Sequence, residues 1–269
     1  MIECFNYKDL IGSIYYLKNN PYYTIDNIIE LKNNYYKLYF SDINDHNLSN
    51  SIVFSYNKLL SLYNDYLIRQ EREKILKEKN INKIVHFTKV DNLETIFEYG
   101  ICSIKLLNLL SIDYSPSDLY RLDGKPSKIS TSISFPNYKM FYKKRMEDVT
   151  TKWAVITINP KLIIDKLDSE FYTTNAASEI FSHALVPTTN NDFEKMFYIS
   201  DRESYIPSFY TTDPQAEVLI NNSISNDYLL SVETKEDNPK VKSLTRDAHI
   251  NYNPNSQLFN ARSDYKRWQ

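Results

Sequence analysis

The 269-residue sequence contains only three glycines, Gly12, Gly100 and Gly124, and they lie far apart. A dinucleotide-binding G-x-G-x-x-G turn and a Walker A loop both need clustered glycines, because their backbone must approach phosphate closely. The sequence therefore excludes a dinucleotide-binding Rossmann fold and a P-loop nucleotide hydrolase.

Cysteine and long apolar runs are also scarce. Cys4 and Cys102 are the two cysteines, and no apolar run approaches the roughly 20 residues that cross a bilayer. The N-terminal MIECFNYKDL lacks the basic start and apolar stretch of a signal peptide. Together these features predict a cytoplasmic protein in a reducing compartment.

The chain has no excess of positive charge, since 32 lysines and arginines stand against 34 acidic residues. Binding to nucleic acid through bulk charge is therefore excluded, and any such contact must come from a local patch. The 42% hydrophobic and 25% charged residues are typical of a folded globular protein. The 23 tyrosines share A/T-rich codons with Asn, Ile and Lys, so genome composition accounts for them without a function.

Metal and nucleophile chemistry find no support in the spacing of residues. The histidines at 46, 86, 183 and 249 are isolated, and no Cys-x-x-Cys or His-x-x-x-His pair occurs. No G-x-S-x-G elbow is present, and Cys102 follows a predicted helix end, a place typical of a small buried residue. We therefore expect no metal and no cysteine or serine nucleophile.

Residues 1–78 predict a helical module. Apolar residues recur at helical spacing in 10–15, in 25–38 and again from Asn50 onward, and a charged run at 69–80 indicates a solvated helix end before a boundary near 79. Over about 7–70 this pattern resembles a degenerate J-domain, without its His-Pro-Asp turn. A plain helical hairpin used for packing or partner contact is the alternative.

After residue 80 the pattern becomes mixed. Strands are predicted at 83–88, 128–133, 153–158, 217–220 and 228–232. Helices are predicted from a capping box at Asp91 to a left-handed stop at Gly100, after Pro136, and over 175–183. Irregular alternation of this kind predicts an α+β fold, with a main domain at 79–240 and a loose polar tail at 241–269.

Four residues in this region could carry chemistry. His86 and Thr88 lie in one predicted strand, Arg121 lies in a neutral segment, and Glu217 opens an apolar strand, where a carboxylate is costly to bury without a partner or a role. Three of them have an ordinary alternative: His86 as a core histidine, Arg121 as a surface residue and Glu217 as a strand-edge charge.

Taken together, five segments resemble, in order and spacing, the DarT family of ADP-ribosyltransferases, which modify bases of single-stranded DNA. They are IVHFTKVDNLETIFEYGICS, YRLDGKPSKISTSISFPNYKMFYKKR, WAVITINP, FYTTNAASEIF and TDPQAEVLI. The resemblance covers about residues 83–221. It implies a split, mixed-sheet ADP-ribosyltransferase domain that uses NAD as a substrate without a glycine-rich loop and without metal.

The resemblance also implies roles for particular residues. Glu217 would hold the ribose, stabilise the positive charge that develops as the nicotinamide bond breaks, and take a proton from the attacking base. His86 and Thr88 would bind the ribose and the nicotinamide amide, and Asn92 would support the cofactor edge. Arg121 would pair with the diphosphate or assist the transfer step.

A helix after Pro136 interleaves tyrosines with basic residues, which suits a single strand because stacking contributes ~1–3 kcal/mol per base. A solvated basic helix face is the alternative. The resemblance adds a residue of the NAASEIF segment facing the target nucleotide and the glutamine before Glu217. The predicted nucleic-acid-binding residues are Tyr138, Tyr142, Lys143, Lys144, Arg145, Asn175 and Gln215.

In family terms the chain would be a toxin or phage-defence effector that modifies a thymidine or guanosine base in single-stranded DNA, and a DarG-like macrodomain antitoxin would oppose it. Gln215-Ala216-Glu217 and Ser130-Thr131-Ser132 also occur in transferases that modify proteins, so a protein substrate stays open, as does RNA. An inactive transferase fold used as a binding module is a third alternative.

Overall fold

The computed structural model of the chain describes residues 7–10, 14–17, 20–42, 49–116, 124–181, 185–198 and 206–268. The chain divides into two compact units, Met1–Glu71 and Arg72–Gln269. The division falls inside a long helix rather than near residue 79.

The first unit is built on an antiparallel sheet whose strands follow one another in space as they do in sequence. Its strands are β1 (Ile14–Leu17), β2 (Asn20–Glu30), β3 (Tyr35–Asp42) and β4 (Ser49–Ser55), and β4 leads directly into helix α1 (Tyr56–Glu78). Leu59 and Tyr63 of α1 pack against Ile25 and Leu38 of the sheet. These contacts form the core of this unit.

The helices predicted for 25–38 and from Asn50 to Ser55 are wrong, because these residues form strands. A bulge between Ile25 and Asn27 shifts the alternation of β2, so that Ile25 and Ile28 face the same core at a spacing that mimics a helix. In β3 the buried residues alternate at 36, 38 and 40, as a half-buried strand requires. The helical pair of the J-domain-like interpretation is therefore absent from residues 20–42 and 49–55, and the turn predicted at 41–47 lies largely outside the described residues.

The predicted third helix is confirmed from Tyr56 onward, and most charged side chains at its end are exposed or half-buried, but one of them is fully buried. Arg72 is 0% exposed, and its guanidinium donates to the carbonyl oxygens of Ile163, Lys166, Leu167 and Thr188 at 2.7–3.1 Å. A buried guanidinium is tolerable when its N–H groups are satisfied in this way. Arg72 thus fixes the loops on which the end of α1 packs.

The second unit contains the remaining strands and helices. Its strands are β5 (Ile84–Lys89), β6 (Ile101–Cys102), β7 (Lys128–Ile133), β8 (Trp153–Ile158), β9 (Glu170–Tyr172), β10 (Glu217–Asn221), β11 (Ser223–Ile224), β12 (Leu229–Thr234) and β13 (Asn251–Asn253). Its helices are α2 (Leu93–Tyr99), α3 (Ile104–Leu109), α4 (Tyr138–Glu147), α5 (Lys161–Asp165), α6 (Asn190–Lys195) and α7 (Pro239–Asp247).

Seven of these strands form one mixed sheet in the order β13-β12-β8-β5-β7-β10-β9, in which β12 and β13 are parallel and the other neighbours are antiparallel. Strand β5 pairs with β8 along its whole length but with β7 only at Ile84–Ile133 and Val85–Ser132. The sheet therefore splits beyond Val85, and the α+β class and the split mixed sheet predicted from the sequence are confirmed.

Most elements predicted after residue 80 are confirmed, and two expectations are wrong. The segment 175–181 forms a turn with a short 3₁₀ helix at Glu179–Phe181, and the rest of the helix predicted there falls on residues outside the description. The expected loose tail instead contains α7 and β13. It also contains a buried ion pair in which Arg262 donates to both carboxylate oxygens of Asp264 at 2.6 Å, an arrangement that a polar composition alone does not reveal.

No helix within the described ranges is long and apolar enough to cross a membrane. Helix α1 is long, but it is rich in charged residues.

We expect Gly100→Ala to destabilise the protein by about 3 kcal/mol or more, because Gly100 has φ +80° and an added Cβ would collide with the carbonyl oxygen of Ile224. Gly124 has φ +64° but open space around its Cα, so Gly124→Ala should cost only the roughly 1–2 kcal/mol of left-handed backbone strain. Urea denaturation of the two variants measures the difference. Equal midpoints would contradict the close approach at Gly100.

Candidate active site

A cavity of about 250 Å³ lies where β5 and β7 diverge. Its lining brings together five residues that the sequence predicts as site residues, although they come from three distant segments. They are His86, Thr88, Asn92, Asn175 and Glu217. The local structure thus supports the prediction that these residues share one site.

Glu217 is held at both carboxylate oxygens. It is the first residue of β10 and is 7% exposed. Oε1 accepts a hydrogen bond from Ser130 Oγ at 2.9 Å, and Oε2 accepts one from the backbone N–H of Ala176, also at 2.9 Å. These bonds offset the cost of burying a carboxylate and fix its orientation in the cavity wall.

Ser130 connects the two halves of the site. Its hydroxyl donates to Glu217, and its backbone carbonyl oxygen lies 2.8 Å from Nδ1 of His86. A carbonyl oxygen can only accept, so the Nδ1 atom of His86 must carry the hydrogen, which sets the tautomer of a neutral ring. The sequence singled out Ser130-Thr131-Ser132 only as an echo of other transferases and did not identify Ser130 as a site residue.

Asn92 makes its contacts with the protein. Its Nδ2 donates to Thr88 Oγ1 at 3.0 Å and to the Ser115 carbonyl at 2.8 Å, and its Oδ1 accepts from the Ser115 N–H at 2.7 Å. Tyr114, Ser115 and Pro116 all line the cavity. Asn92 therefore fixes this wall segment to β5, which sequence reasoning did not foresee when it placed Asn92 at the cofactor edge.

Arg121 lies outside the described residues, so its predicted role stays a prediction. The described ranges on either side of Arg121 end at Pro116, in the segment that Asn92 holds, and begin again at Gly124.

The basic helix predicted to bind nucleic acid is α4, and its side chains divide into two groups. Tyr142 is 58% exposed and Lys143 is exposed as well. Tyr138 packs against an aromatic cluster, and Lys144 pairs with Glu147 at 3.5 Å.

Arg145, which the sequence predicts to bind nucleic acid, makes its contacts within the protein. Its guanidinium lies over the rings of Phe141 and Phe259, and it donates to the Phe259 carbonyl at 2.8 Å. Burial lowers the pKa of Arg145. The contacts join α4 to the C-terminal segment, and of α4 only Met140 appears in the cavity lining.

The two loop residues predicted to face the target are placed differently. Asn175 lines the cavity, and its Oδ1 accepts from the Ala177 N–H at 2.8 Å. Gln215 is half-buried outside that lining, and its backbone N–H donates to Asp213 Oδ1 at 2.7 Å.

Sequence reasoning missed a charged cluster beside the site. Glu170 is 5% exposed and lies 2.6 Å from Lys125 Nζ, 2.8 Å from Lys128 Nζ and 2.8 Å from the Tyr172 hydroxyl. Burial opposes ionisation of Glu170, but the hydrogen bonds from these three partners prevail and lower its pKa. Lys128 also lines the cavity. No short motif marks the cluster, because its members come from separate strands and a loop.

Cys102 lines the cavity as well, and burial raises the pKa of its thiol. The thiol is therefore protonated at neutral pH, which is unsuited to a nucleophile. Among the residues that the structure describes, no group of three His, Cys, Asp or Glu side chains is arranged to hold a metal ion.

A split mixed sheet with a buried glutamate on one strand and a histidine on a strand across the split is the arrangement that the sequence resemblance to ADP-ribosyltransferases implies. The family model described as "ssDNA thymidine ADP-ribosyltransferase, DarT" matches residues 85–254. This match covers more than half of the chain, and the chain belongs to the DarT family.

Solved structures of DarT proteins are similar to this chain. Thermosipho africanus DarTG in complex with ADP-ribose matches at 15% identity and TM-score 0.45, covering 66% of this chain and 51% of that one. Thermus sp. 2.9 DarT in complex with NAD+ matches at 11% identity and TM-score 0.44, covering 66% of this chain and 98% of that one. The same protein in complex with ADP-ribosylated ssDNA matches at 10% identity and TM-score 0.47, covering 67% of this chain and 97% of that one. The chain thus spans about half the length of the Thermosipho protein, and no curated protein matches it.

We expect Asn92→Ala to release the segment around Ser115, because the variant loses both hydrogen bonds that join Asn92 to Ser115 and the one that joins Asn92 to Thr88. Loss of a buried bonding group costs about 1–3 kcal/mol locally, so the Ser115 amide should exchange its hydrogen roughly tenfold faster or more. Hydrogen-exchange mass spectrometry of peptides spanning 113–116 measures this. Asn108→Ala, on the exposed side of α3, is the matched control, and identical exchange in both variants would contradict the role of Asn92.

Proposed function

We propose that this chain transfers ADP-ribose from NAD to a thymidine base of single-stranded DNA. The observation that carries the proposal is the buried Glu217 carboxylate, held at both oxygens in the wall of a cavity inside a DarT-family domain. The description of the family favours thymidine over the guanosine that the sequence left open.

The donor set of the cavity fits NAD. His86, Thr88 and Asn175 supply polar groups to its lining, and Glu217 supplies the carboxylate. NAD supplies an ADP-ribosyl group with nicotinamide as its leaving group. We propose that His86 and Thr88 orient the ribose and the nicotinamide amide, and that Glu217 holds the ribose hydroxyl.

The carboxylate of Glu217 acts where positive charge develops on the ribose as the bond to nicotinamide breaks. The leaving nicotinamide takes the electron pair of that bond, and a ring nitrogen of the base forms the new bond to the ribose carbon. The proton of that nitrogen passes to the Glu217 carboxylate. Ser130 keeps the carboxylate in place throughout and fixes the tautomer of His86.

Arg121 retains its proposed role as the partner of the NAD diphosphate, because a guanidinium matches phosphate with paired N–H groups. What supports this is its position in the sequence. In the sequence, Arg121 comes a few residues after the cavity-lining segment that Asn92 holds.

The cellular setting is proposed from the family resemblance alone. The chain would act in the cytoplasm as a toxin or phage-defence effector, and a DarG-like macrodomain protein would oppose it by removing the modification.

We expect Glu217→Gln to reduce transfer by about 10²–10³-fold or more, because the amide cannot stabilise developing positive charge or take the proton. Labelled NAD, incubated with single-stranded DNA, RNA and bulk protein, measures transfer to each. Glu233→Gln is the matched control, because Glu233 is also a buried strand glutamate, which accepts hydrogen bonds from Ser231 and Asn253 outside the cavity.

Label on DNA that disappears in Glu217→Gln and persists in Glu233→Gln supports the proposal. Label on RNA or protein alone would retain the enzyme class and replace the substrate. No label from the wild type, with NAD left intact, would favour an inactive binding module.

We expect Ser130→Ala to lower kcat roughly tenfold, since the variant loses one of the two described bonds that orient Glu217 but keeps the backbone carbonyl that binds His86. The KM for NAD should change little. Ser132→Ala, two residues along the same strand, removes a buried hydroxyl with no described bond to Glu217 and serves as the control. Steady-state kinetics that show equal losses in both variants would refute a specific role for Ser130.

A further inference from the structure

The outer face of the sheet in the first unit takes no part in the mechanism described so far. Helix α1 packs on the other face, where Tyr36 of β3 is buried with Leu59 of α1. Side chains of a strand alternate between its two faces, so Tyr35, Lys37 and Tyr39 of β3 lie on the outer face, where they are exposed or half-buried. The core of this unit therefore leaves these three side chains available for another contact.

The strand register surrounds Lys37 with apolar side chains. Lys37 pairs directly with Ile29 of β2 on one side and with Val53 of β4 on the other. Directly opposite residues of antiparallel strands share a face. Ile29, Tyr35 and Val53 are 43%, 48% and 49% exposed. The outer face thus presents a patch of rings and aliphatic side chains, whereas the solvated face of an antiparallel sheet is normally polar, and such a patch marks an interaction site.

The charge of this patch is positive. The Lys37 ammonium lies 4.9 Å from the centre of the Tyr39 ring, as in a cation–π contact. From Asn27 to the turn between β2 and β3, the outer positions that the structure describes in β2, β3 and β4 include no Asp or Glu. Asp26, in the bulge before Asn27, accepts a hydrogen bond from Ser41 at 3.0 Å. The patch is therefore complementary to an anion that also carries flat, apolar groups.

Single-stranded nucleic acid has this combination, because its bases stack on aromatic rings and its phosphates pair with cations along one chain. Tyr35 and Tyr39 are four residues apart in one strand, so about 14 Å separates them, with Lys37 midway. Four-stranded sheets that present aromatic side chains stack two or three bases of a single strand. A second copy of this chain on the same face would instead bring like charges together. Codon bias accounts for the number of tyrosines but not for their position on this face.

We propose that the outer face of β2, β3 and β4 binds single-stranded DNA, with Tyr35 and Tyr39 stacking on bases and Lys37 contacting the phosphate backbone. The inference rests on the proposed function for the identity of the strand, but binding can be measured without transfer. Stacking accepts every base, so this surface holds the strand without reading its sequence. A strand held by the same chain reaches a higher effective concentration for the transferase unit.

The test measures binding of a fluorescently labelled single strand of DNA to the full chain by anisotropy, without NAD, at several salt concentrations. Tyr35→Ala removes a ring, whereas Tyr35→Phe keeps the ring and removes only the hydroxyl. Lys37→Gln removes the charge, and Lys37→Arg keeps it. Tyr198→Ala is the matched control, because Tyr198 is an exposed tyrosine of the second unit, outside the cavity lining.

We expect Tyr35→Ala to weaken binding about fivefold or more, whatever the sequence of the strand, because a base loses its stacking partner. Lys37→Gln should reduce the slope of log K against log salt by about 0.7, as one lost phosphate contact requires. Tyr35→Phe, Lys37→Arg and Tyr198→Ala should bind like the wild type. In the transfer assay, Tyr35→Ala should raise the KM for the strand and leave the KM for NAD unchanged, since Tyr35 lies outside the cavity lining.

The surface is refuted if the wild type does not bind the strand without NAD, or if Tyr35→Ala and Tyr39→Ala both fold and bind it like the wild type. Should either alanine variant fail to fold, as judged by circular dichroism, the other decides, together with the salt slope of Lys37→Gln. Analytical ultracentrifugation that shows Tyr35→Ala abolishing self-association, with DNA binding unchanged, would also refute the proposal and assign the face to a contact between copies.

The two proposals of this chain fail in different ways. A wild type that binds the strand in a Tyr35-dependent way but labels nothing would retain the surface and overturn the proposed function. A wild type that labels DNA, with binding unaffected by Tyr35→Ala, would retain the function and refute the surface.

Discussion

The hydrogen bond from Ser130 to Glu217 is the interaction on which the site depends. It crosses between two neighbouring antiparallel strands, β7 and β10, so one oxygen of the carboxylate is held by the sheet itself. The backbone carbonyl of the same serine binds His86, beyond the last residue pair that joins β5 to β7. One residue thus spans the split in the sheet, and the cavity is the space that opens because direct pairing between β5 and β7 stops at Val85. Without the split there would be no room for a substrate. Without Ser130, Glu217 on one side of the split and His86 on the other would not be bonded to the same residue.

The scarcity of glycine shapes the rest of the fold. Left-handed backbone positions occur at Asn80, Asn222 and Asn255, with φ between 56° and 60°, because asparagine tolerates this conformation better than most residues. Gly100 is different, since the Ile224 carbonyl leaves no space for any side chain. The loops around Ile163–Leu167 and Thr188 are held by a buried polar group, Arg72, through its four carbonyl partners. The asparagine-rich composition is therefore compatible with an ordered fold, although codon bias alone accounts for its origin.

Most strands and helices of the second unit could be predicted from the sequence, because their signals are local. The alternation in β7, the apolar run in β8 and the left-handed stop at Gly100 each lie within a few residues, and the motifs around His86 and Glu217 mark the cavity. The helices predicted for the first unit are wrong, because a bulge in β2 gives strand residues a helical spacing. The role of Asn92 and the cluster around Glu170 could not be predicted, since Ser115 is 23 residues from Asn92 and Lys125 is 45 residues from Glu170. Local patterns identify elements, whereas long-range polar contacts follow only from their assembly.

The second hydrogen bond to Glu217 links its carboxylate to the turn that carries Asn175. Its donor is the backbone N–H of Ala176, which is adjacent to Asn175, the residue that the family resemblance places against the target nucleotide. Asn175 in turn shapes this turn through its bond to Ala177. Under the proposed function, a change that moves this turn to accept a different base also moves a donor to the Glu217 carboxylate. The other oxygen of that carboxylate stays bonded to Ser130 on β7. Under the proposed function, base specificity and the rate of transfer are therefore coupled through the two oxygens of Glu217.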